Sequence, residues 1–139
     1  MLSQKMKQKL SKGNSSFTLV EIMIVVAIIG ILAVVTVPSF IRARQRSQAV
    51  TILNEARILD AAKAQYAMEN NKGGSTTPNF QDLTPYLKAS TKLAKNGGND
   101  ILGNSYTIGS IDGNLQINTT TKNNLSDSTG GDSFWGPYS

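Results

Sequence analysis

The sequence has 139 residues and a formal net charge of +5, and it contains neither cysteine nor histidine. This length corresponds to one small domain, and the missing residue types remove disulfides, the commonest metal ligand and the usual general base. We therefore predict a protein that is not an enzyme. Four lysines lie within the first twelve residues, which leaves ten basic and nine acidic residues in the rest. This near-neutral remainder predicts no nucleic-acid partner.

The amino-terminal part of the chain has a basic segment followed by an apolar one. We predict that the basic segment is a leader peptide over residues 1–16. There is no charged side chain from Ile22 to Val37. A helix from Phe17 to Val37 is about 30 Å long, close to the thickness of the hydrocarbon core of a bilayer. The sequence therefore predicts a membrane-spanning helix over residues 17–41.

One carboxylate, that of Glu21, lies a single helical turn inside this segment. Because a charge inside a bilayer costs about 2.5–3.5 kcal/mol or more, we expect Glu21 to have a dedicated partner. Two simpler interpretations remain open. The segment is a plain anchor whose Glu21 lies among the lipid headgroups, or it is a cleaved secretory signal, for which the residues from Ala33 to Pro38 make a poor cleavage site.

The run Ser16-Phe17-Thr18-Leu19-Val20-Glu21, with the basic leader before it and Pro38 after the apolar segment, resembles the class III signal of type IV pilins and type II secretion pseudopilins. This resemblance implies that a prepilin peptidase cleaves between Ser16 and Phe17 and that the new amino terminus of Phe17 is methylated. It also implies that Glu21 pairs with the terminal amine of a neighbouring subunit. The sequence departs from the family at Ser16, where glycine is usual.

The resemblance further implies a single-pass protein of the bacterial inner membrane, with its amino terminus in the cytoplasm and its head in the periplasm. The implied partners are other copies of the chain, other pseudopilins, the prepilin peptidase, and an inner-membrane assembly platform with its ATPase. Gly30 and Pro38 weaken the helix. In the family, the segment between these positions loses helical structure when subunits pack into a filament, so both residues are predicted to act in assembly.

The helix is predicted to continue through residues 42–72 as the amphipathic part of a globular head over residues 42–139, and to end at Gly73-Gly74. Five apolar residues recur at steps of three or four and are expected on the buried face: Ile52, Ala56, Leu59, Ala62 and Tyr66. The charged residues are assigned to the solvent-facing side: Arg42, Arg44, Glu55, Arg57, Asp60 and Lys63.

The rest of the head is predicted to contain short helices and a β-hairpin. Thr77-Pro78 and Thr84-Pro85 are each expected to begin a short helix. Alternating residues in 106–109 and 115–118 on either side of Asp112-Gly113 predict an antiparallel hairpin. The predicted fold class is therefore α+β and pilin-like, with a long amino-terminal helix packed against a small antiparallel sheet. The residues from Asp100 to Tyr106 resemble the pseudopilin segment Asp-Pro-Trp-Gly-x-x-Tyr, with Ile-Leu in place of Pro-Trp.

The carboxy-terminal residues are predicted to be a polar loop over 119–133, followed by aromatic residues from Phe134 to Tyr138. These aromatics are expected to dock onto the head or to contact a neighbouring subunit. Asp127 and Asp132 supply hard oxygen ligands of the kind that calcium prefers, and the resemblance implies a calcium site in this region. No other cofactor is expected.

The sequence as a whole predicts a pseudopilin, a structural subunit of a type II secretion pseudopilus. Two alternatives remain open. The first is a type IV pilin or minor pilin that serves adhesion, motility or DNA uptake. The second is a monomeric, membrane-anchored binding domain that does not form filaments.

Overall fold

The structure, a computed structural model, describes residues 16–139. A helix of 52 residues, α1, runs from Leu19 to Asn70, which agrees with the predicted long amino-terminal helix. The chain divides into two compact units, one ending at Pro38 and the other beginning at Ser39, and α1 contributes to both. The predicted leader lies outside the described residues, except for Ser16.

The first part of α1, residues 19–41, has an apolar surface on every side. All the large apolar side chains from Phe17 to Ile41 are exposed in the single chain. The hydroxyl of Thr36 donates to the carbonyl of Leu32 at 3.1 Å, so this polar side chain is satisfied within the helix. Because a helix also satisfies its backbone groups internally, the segment suits a hydrocarbon environment. By length and composition, α1 is able to cross a membrane.

The carboxyl end of α1 is set by an asparagine rather than by the predicted glycine pair, Gly73-Gly74. Asn71 takes a left-handed conformation with φ of 52°. The N–H of Lys72 then donates to the carbonyl of Ala67 at 3.1 Å. This bond belongs to a common helix-ending motif that glycine or asparagine allows, so the helix stops before the glycines.

The second part of α1 supplies one side of the hydrophobic core. Its buried residues recur at helical spacing: Ala49, Ile52, Glu55, Ala56, Leu59, Ala62 and Lys63. The predicted apolar face is confirmed, with Tyr66 half-buried at its end. The solvent-facing assignment of Glu55 and Lys63 is wrong, since they are only 6% and 1% exposed. Steps of three and four from Ile52 and Leu59 reach these two positions as well as their apolar neighbours.

Three short helical elements follow α1: α2 at Phe80–Leu83, a 3₁₀ helix at Thr84–Tyr86 and α3 at Lys92–Lys95. Pro85 lies in the first turn of the 3₁₀ helix, as predicted. The predicted start of α2 at Thr77-Pro78 is wrong, because α2 begins after Asn79. The N–H of Asn79 donates to the carboxylate of Asp82 at 2.9 Å, and this local cap fixes the start of the helix.

The predicted antiparallel sheet is wrong, because residues 16–139 contain only two isolated bridges and no regular strand. The predicted pairing survives at one point. Thr107 and Gln116 exchange both backbone hydrogen bonds at 2.9 Å. The turn between them is closed by a bond of 3.0 Å from the N–H of Gly113 to the carbonyl of Ser110.

Two N–H groups that do not face across this pair bond to other segments of the head. The N–H of Ile111 donates to the carbonyl of Thr76, and the N–H of Ile117 donates to the carbonyl of Tyr138, each at 2.9 Å. Gly109 has a φ of 67°, which also departs from strand geometry. The head is therefore an irregular layer packed on the buried face of α1.

The residues predicted as a polar loop form a helix, α4, at Thr119–Thr129. Asn118 caps its amino end by accepting an N–H at 2.9 Å, and Gly130 ends it in a left-handed conformation with φ of 77°. Thr121 and Leu125, four residues apart, are buried. Burial of these two side chains on one face outweighs the weak helix propensity of the polar residues.

The carboxy-terminal aromatics dock onto the head, which confirms one of the two predicted roles. They lie in a 3₁₀ segment at Asp132–Tyr138, which is kinked at Gly136. Trp135 is 1% exposed, and the ring of Phe134 meets it edge to face at 5.0 Å. The backbone bond between Ile117 and Tyr138 holds the terminus, so packing closes this region without a disulfide.

Candidate functional site

The candidate assembly site is the amino end of α1, where Thr18 precedes the helix and Glu21 lies in its first turn. The N–H of Thr18 donates to Oε2 of Glu21 at 2.7 Å, and the N–H of Glu21 donates to Oγ1 of Thr18 at 3.2 Å. These reciprocal bonds form a capping box, and the carboxylate also compensates the partial positive charge of the helix terminus. In the single chain, Glu21 is therefore oriented by its own backbone.

The Glu21 carboxylate retains the capacity to bind a cation. A carboxylate accepts several hydrogen bonds, and Oε2 alone has a hydrogen-bond partner within the described residues. Two ion pairs occur in residues 16–139, Lys63 with Asp60 and Lys122 with Asp132, and Glu21 belongs to neither. The site can thus accept an amine that the described part of this chain does not supply.

The predicted cleavage site lies immediately before this box. Ser16 and Phe17 precede the first residue of α1, and the Phe17 side chain is 81% exposed. The Thr18 N–H belongs to the peptide bond after Phe17, so cleavage between Ser16 and Phe17 leaves the capping box intact. Cleavage and methylation at Phe17 remain predictions.

Gly30 and Pro38 both lie inside α1, which is helical through both positions. A Cβ atom placed on Gly30 would meet nothing within 4 Å, so packing within the chain does not require glycine there. Small residues in apolar helices allow the backbones of neighbouring helices to approach closely. A role for Gly30 in contacts between copies is therefore consistent with the structure, and the predicted loss of helix between Gly30 and Pro38 stays a prediction.

The two aspartates proposed for calcium lie on different elements. Asp127 is exposed on α4, and Asp132 begins the 3₁₀ segment with its carboxylate 3.9 Å from Nζ of Lys122. Within residues 16–139, no group of three or more acidic side chains is placed to hold a metal ion. Calcium prefers six to eight oxygen ligands, so most of a site here would have to come from carbonyls, hydroxyls and water. Calcium binding stays a prediction.

The head contains a buried polar network that was not predicted from the sequence. Tyr106 donates its hydroxyl to Oε2 of Glu55 at 2.7 Å. Nearby in sequence, Oδ1 of Asp100 accepts the N–H groups of Leu102 and Asn104 at 2.9 Å each, and its Oδ2 accepts the hydroxyl of a buried threonine on α4, Thr121. The first and last residues of the Asp100–Tyr106 segment thus have structural roles, one shaping the loop and the other joining it to α1.

Lys63 was also not predicted as a buried residue, and its ammonium group hydrogen-bonds to the irregular turn. Its Nζ donates to the carbonyls of Ile108 at 3.2 Å and Gly113 at 2.6 Å, and lies 3.6 Å from the carboxylate of Asp60. These bonds tie both sides of the turn to α1. The sequence signal that could have identified Lys63 was its position on the buried face of α1.

Comparisons with known proteins address the same amino-terminal segment. A family profile described as the prokaryotic N-terminal methylation motif matches residues 11–37, which include the predicted cleavage site and Glu21. No solved structure matches the chain.

Three curated proteins show how far the similarity extends. The chain is 41% identical over 59 residues to the type IV major pilin protein PilA of Myxococcus xanthus, covering 42% of this chain and 27% of that protein. It is 34% identical over 91 residues to a fimbrial protein of Pseudomonas aeruginosa, covering 65% and 59%. It is 28% identical over 105 residues to the type II secretion system core protein G of Aeromonas hydrophila, covering 70% and 73%. The chain therefore spans less than two thirds of the length of the first two relatives.

Proposed function

Because the chain belongs to the family of type IV pilins and type II secretion pseudopilins, we propose that it is a structural subunit of a type II secretion pseudopilus. The chain is similar to pilins and pseudopilins, which are structural subunits, and we propose no enzymatic activity for it. The observation that carries the proposal is the Glu21 carboxylate in the first turn of an apolar helix, with an oxygen left to bind a cation.

In the proposed mechanism, the peptidase exposes the amine of Phe17 and the amine of one subunit binds Glu21 of its neighbour. Attraction between opposite charges is strong where water is excluded, so this pair sets the register between adjacent subunits. The exposed apolar side chains from Phe17 to Ile41 exchange lipid for neighbouring helices. Before assembly, the subunit is anchored in the inner membrane with its head in the periplasm, and the assembly platform and its ATPase drive extraction.

The pseudopilus is favoured over a pilus by two observations. Of the three matches described above, the one to core protein G spans the most residues. In addition, Asp100 and Tyr106, which the pseudopilin-like segment has in common with that class, are both buried and hydrogen-bonded. A type IV pilin remains the second candidate, since the matches to the Myxococcus and Pseudomonas proteins have higher identity.

The test is substitution of Glu21 in the native host. We expect Glu21→Val to leave membrane insertion intact and to abolish cross-linking between copies. Glu69→Val, which removes an exposed glutamate at the other end of α1, is the matched control and should assemble normally. Loss of protein secretion in the Glu21→Val strain supports a pseudopilus, whereas loss of surface fibres with normal secretion supports a pilus. Normal cross-linking of Glu21→Val would contradict the role of Glu21 in assembly, whereas a lack of cross-linking in the unchanged chain would favour a monomeric anchored domain.

The processing step has an independent readout. Mass spectrometry of the amino terminus should find N-methylated Phe17 in membranes that contain the peptidase. Detection of an intact lysine leader on all copies would contradict the proposal. Cleavage of the unchanged chain without assembly would contradict its role as a filament subunit but not the processing step.

A further inference from the structure

The polar boundary of the apolar helix has an unusual charge distribution. Three arginines, Arg42, Arg44 and Arg46, occupy alternate positions directly after Ile41, and all three are exposed on α1. We propose that these residues form an arginine collar in which Arg42 and Arg44 bind anionic phospholipid headgroups. The proposal rests on the membrane anchorage in the proposed function and adds a specific lipid partner to it.

The spacing of the arginine collar fits a lipid layer better than one protein surface. At about 100° per residue, Arg42 and Arg44 lie on opposite sides of the helix, roughly 200° apart. A single docked protein contacts one face of a helix, whereas lipid headgroups surround it. From Arg42 to Arg46 the helix rises about 6 Å, which matches the 5–8 Å thickness of one headgroup layer.

The charges of the arginine collar are also not neutralised within the described part of the chain. There is no acidic residue between Glu21 and Glu55 in the sequence. Neither of the two ion pairs found in residues 16–139 includes an arginine. A cluster of basic residues next to a membrane-spanning helix is attracted to anionic lipids, and long arginine stems reach from apolar surface to headgroups.

Arg46 differs from the other two because the head holds it. Its Nη1 donates to the carbonyl of Ser128 at 3.3 Å, and its guanidinium lies 5.8 Å from the centre of the Phe134 ring. Arg46 thus links the collar to the docked carboxy terminus, while Arg42 and Arg44 remain available for lipid. A double substitution of Arg42 and Arg44 therefore tests the proposal without disturbing the head.

The absence of native cysteine allows a single site-specific probe. Ala43, exposed between the two arginines, is replaced by cysteine, labelled with bimane, and the full chain is reconstituted into phosphatidylcholine vesicles. Quenching by spin-labelled phosphatidylglycerol is compared with quenching by spin-labelled phosphatidylcholine at the same fraction. We expect a preference for the anionic lipid of roughly fivefold for each arginine. Added salt should reduce this preference.

The combination of Arg42→Gln and Arg44→Gln should remove this preference, and Arg57→Gln should retain it. Arg57 is an exposed arginine on the same helix, about 22 Å further along. An inserted chain with equal quenching by both lipids overturns the arginine collar alone. Failure to co-sediment with any vesicle overturns the membrane anchorage and the collar with it. A probe that responds to protein density, and not to lipid charge, shows that the arginines serve contacts between copies instead.

Discussion

The hydroxyl of Tyr106 donates a hydrogen bond of 2.7 Å to Oε2 of Glu55. The bond joins the irregular part of the head to the buried face of α1, and both residues are largely removed from solvent. Burial raises the pKa of Glu55 above its ordinary value of 4.5, while the bond from Tyr106 acts in the opposite direction. Burial and the adjacent Glu55 raise the pKa of Tyr106, so the phenol stays protonated as the donor.

The first prediction concerns the pH dependence of stability. Because the folded-state pKa of Glu55 is raised, the folded chain binds more protons than the unfolded chain between about pH 4.5 and the raised value. The contribution of Glu55 is therefore fully present below its unfolded pKa and is lost as pH rises through its folded pKa. Glutamine resembles the protonated acid, so Glu55→Gln should remove this decline.

Urea unfolding of the full chain in detergent micelles, followed by the fluorescence of its one tryptophan, Trp135, measures the effect. The difference in unfolding free energy between Glu55→Gln and the unchanged chain should grow in favour of the variant from acidic to neutral pH. Glu69→Gln, at an exposed position on the same helix, is the control. A constant difference across this range would mean that Glu55 does not titrate as described.

The second prediction isolates the hydrogen bond. Tyr106→Phe keeps the ring and removes the donor to the carboxylate, so the unfolding free energy should fall by about 1–3 kcal/mol at neutral pH. Tyr66→Phe is the control. Tyr66 is half-buried at the end of the buried face of α1, and its hydroxyl makes no hydrogen bond within the described structure. Equal effects of the two variants would argue that the bond contributes nothing specific.

The long helix and its buried face could be predicted from the sequence because their signals are local. Apolar composition and a period of three to four are properties of neighbouring residues, and they are sufficient for α1 and for Ile52 and Leu59. The same spacing placed Glu55 and Lys63 on the buried face, but their charge led to the opposite assignment. The partners that satisfy them lie 45 to 51 residues away, as Ile108, Gly113 and Tyr106.

The sheet was mispredicted for a related reason. Alternating residues and an Asp-Gly turn favour a hairpin locally, and the Thr107–Gln116 pair does form. The ladder ends at Gly109, whose φ of 67° departs from strand geometry. The N–H groups of Ile111 and Ile117 bond to Thr76 and Tyr138, which are distant in the sequence. At the candidate site, by contrast, the Thr18–Glu21 capping box follows from residues three positions apart, so its pattern was present in the sequence.

The third prediction concerns the buried ammonium of Lys63. Lys63→Met keeps an apolar stem of similar length but leaves the carbonyls of Ile108 and Gly113 without their donor. We expect the unfolding free energy to fall by about 1–3 kcal/mol, the usual cost of a buried polar group that loses its partner. Lys88→Met, at an exposed position, should change it by less than about 0.5 kcal/mol. An unchanged unfolding free energy for Lys63→Met would show that the turn does not depend on the hydrogen bonds from Lys63.

The fourth prediction uses two adjacent glycines that differ in their surroundings. Gly97 and Gly98 both have left-handed backbones, with φ of 64° and 84°. A Cβ atom on Gly98 would lie 2.6 Å from the ring of Phe80, whereas one on Gly97 would meet nothing within 4 Å. The unfolding free energy of Gly97→Ala should therefore fall by about 1–2 kcal/mol from backbone strain alone. The unfolding free energy of Gly98→Ala should fall by about 1–3 kcal/mol more, because the ring of Phe80 must also move.

The same urea titration compares the two alanine variants, and adding Phe80→Leu to each tests the cause of the difference. If the ring produces the extra loss, the smaller leucine side chain should reduce the gap between Gly98→Ala and Gly97→Ala. The backbone cost common to both variants should remain, since it does not depend on Phe80. A gap that persists unchanged beside leucine would place the strain in the loop backbone and not in its packing against α2.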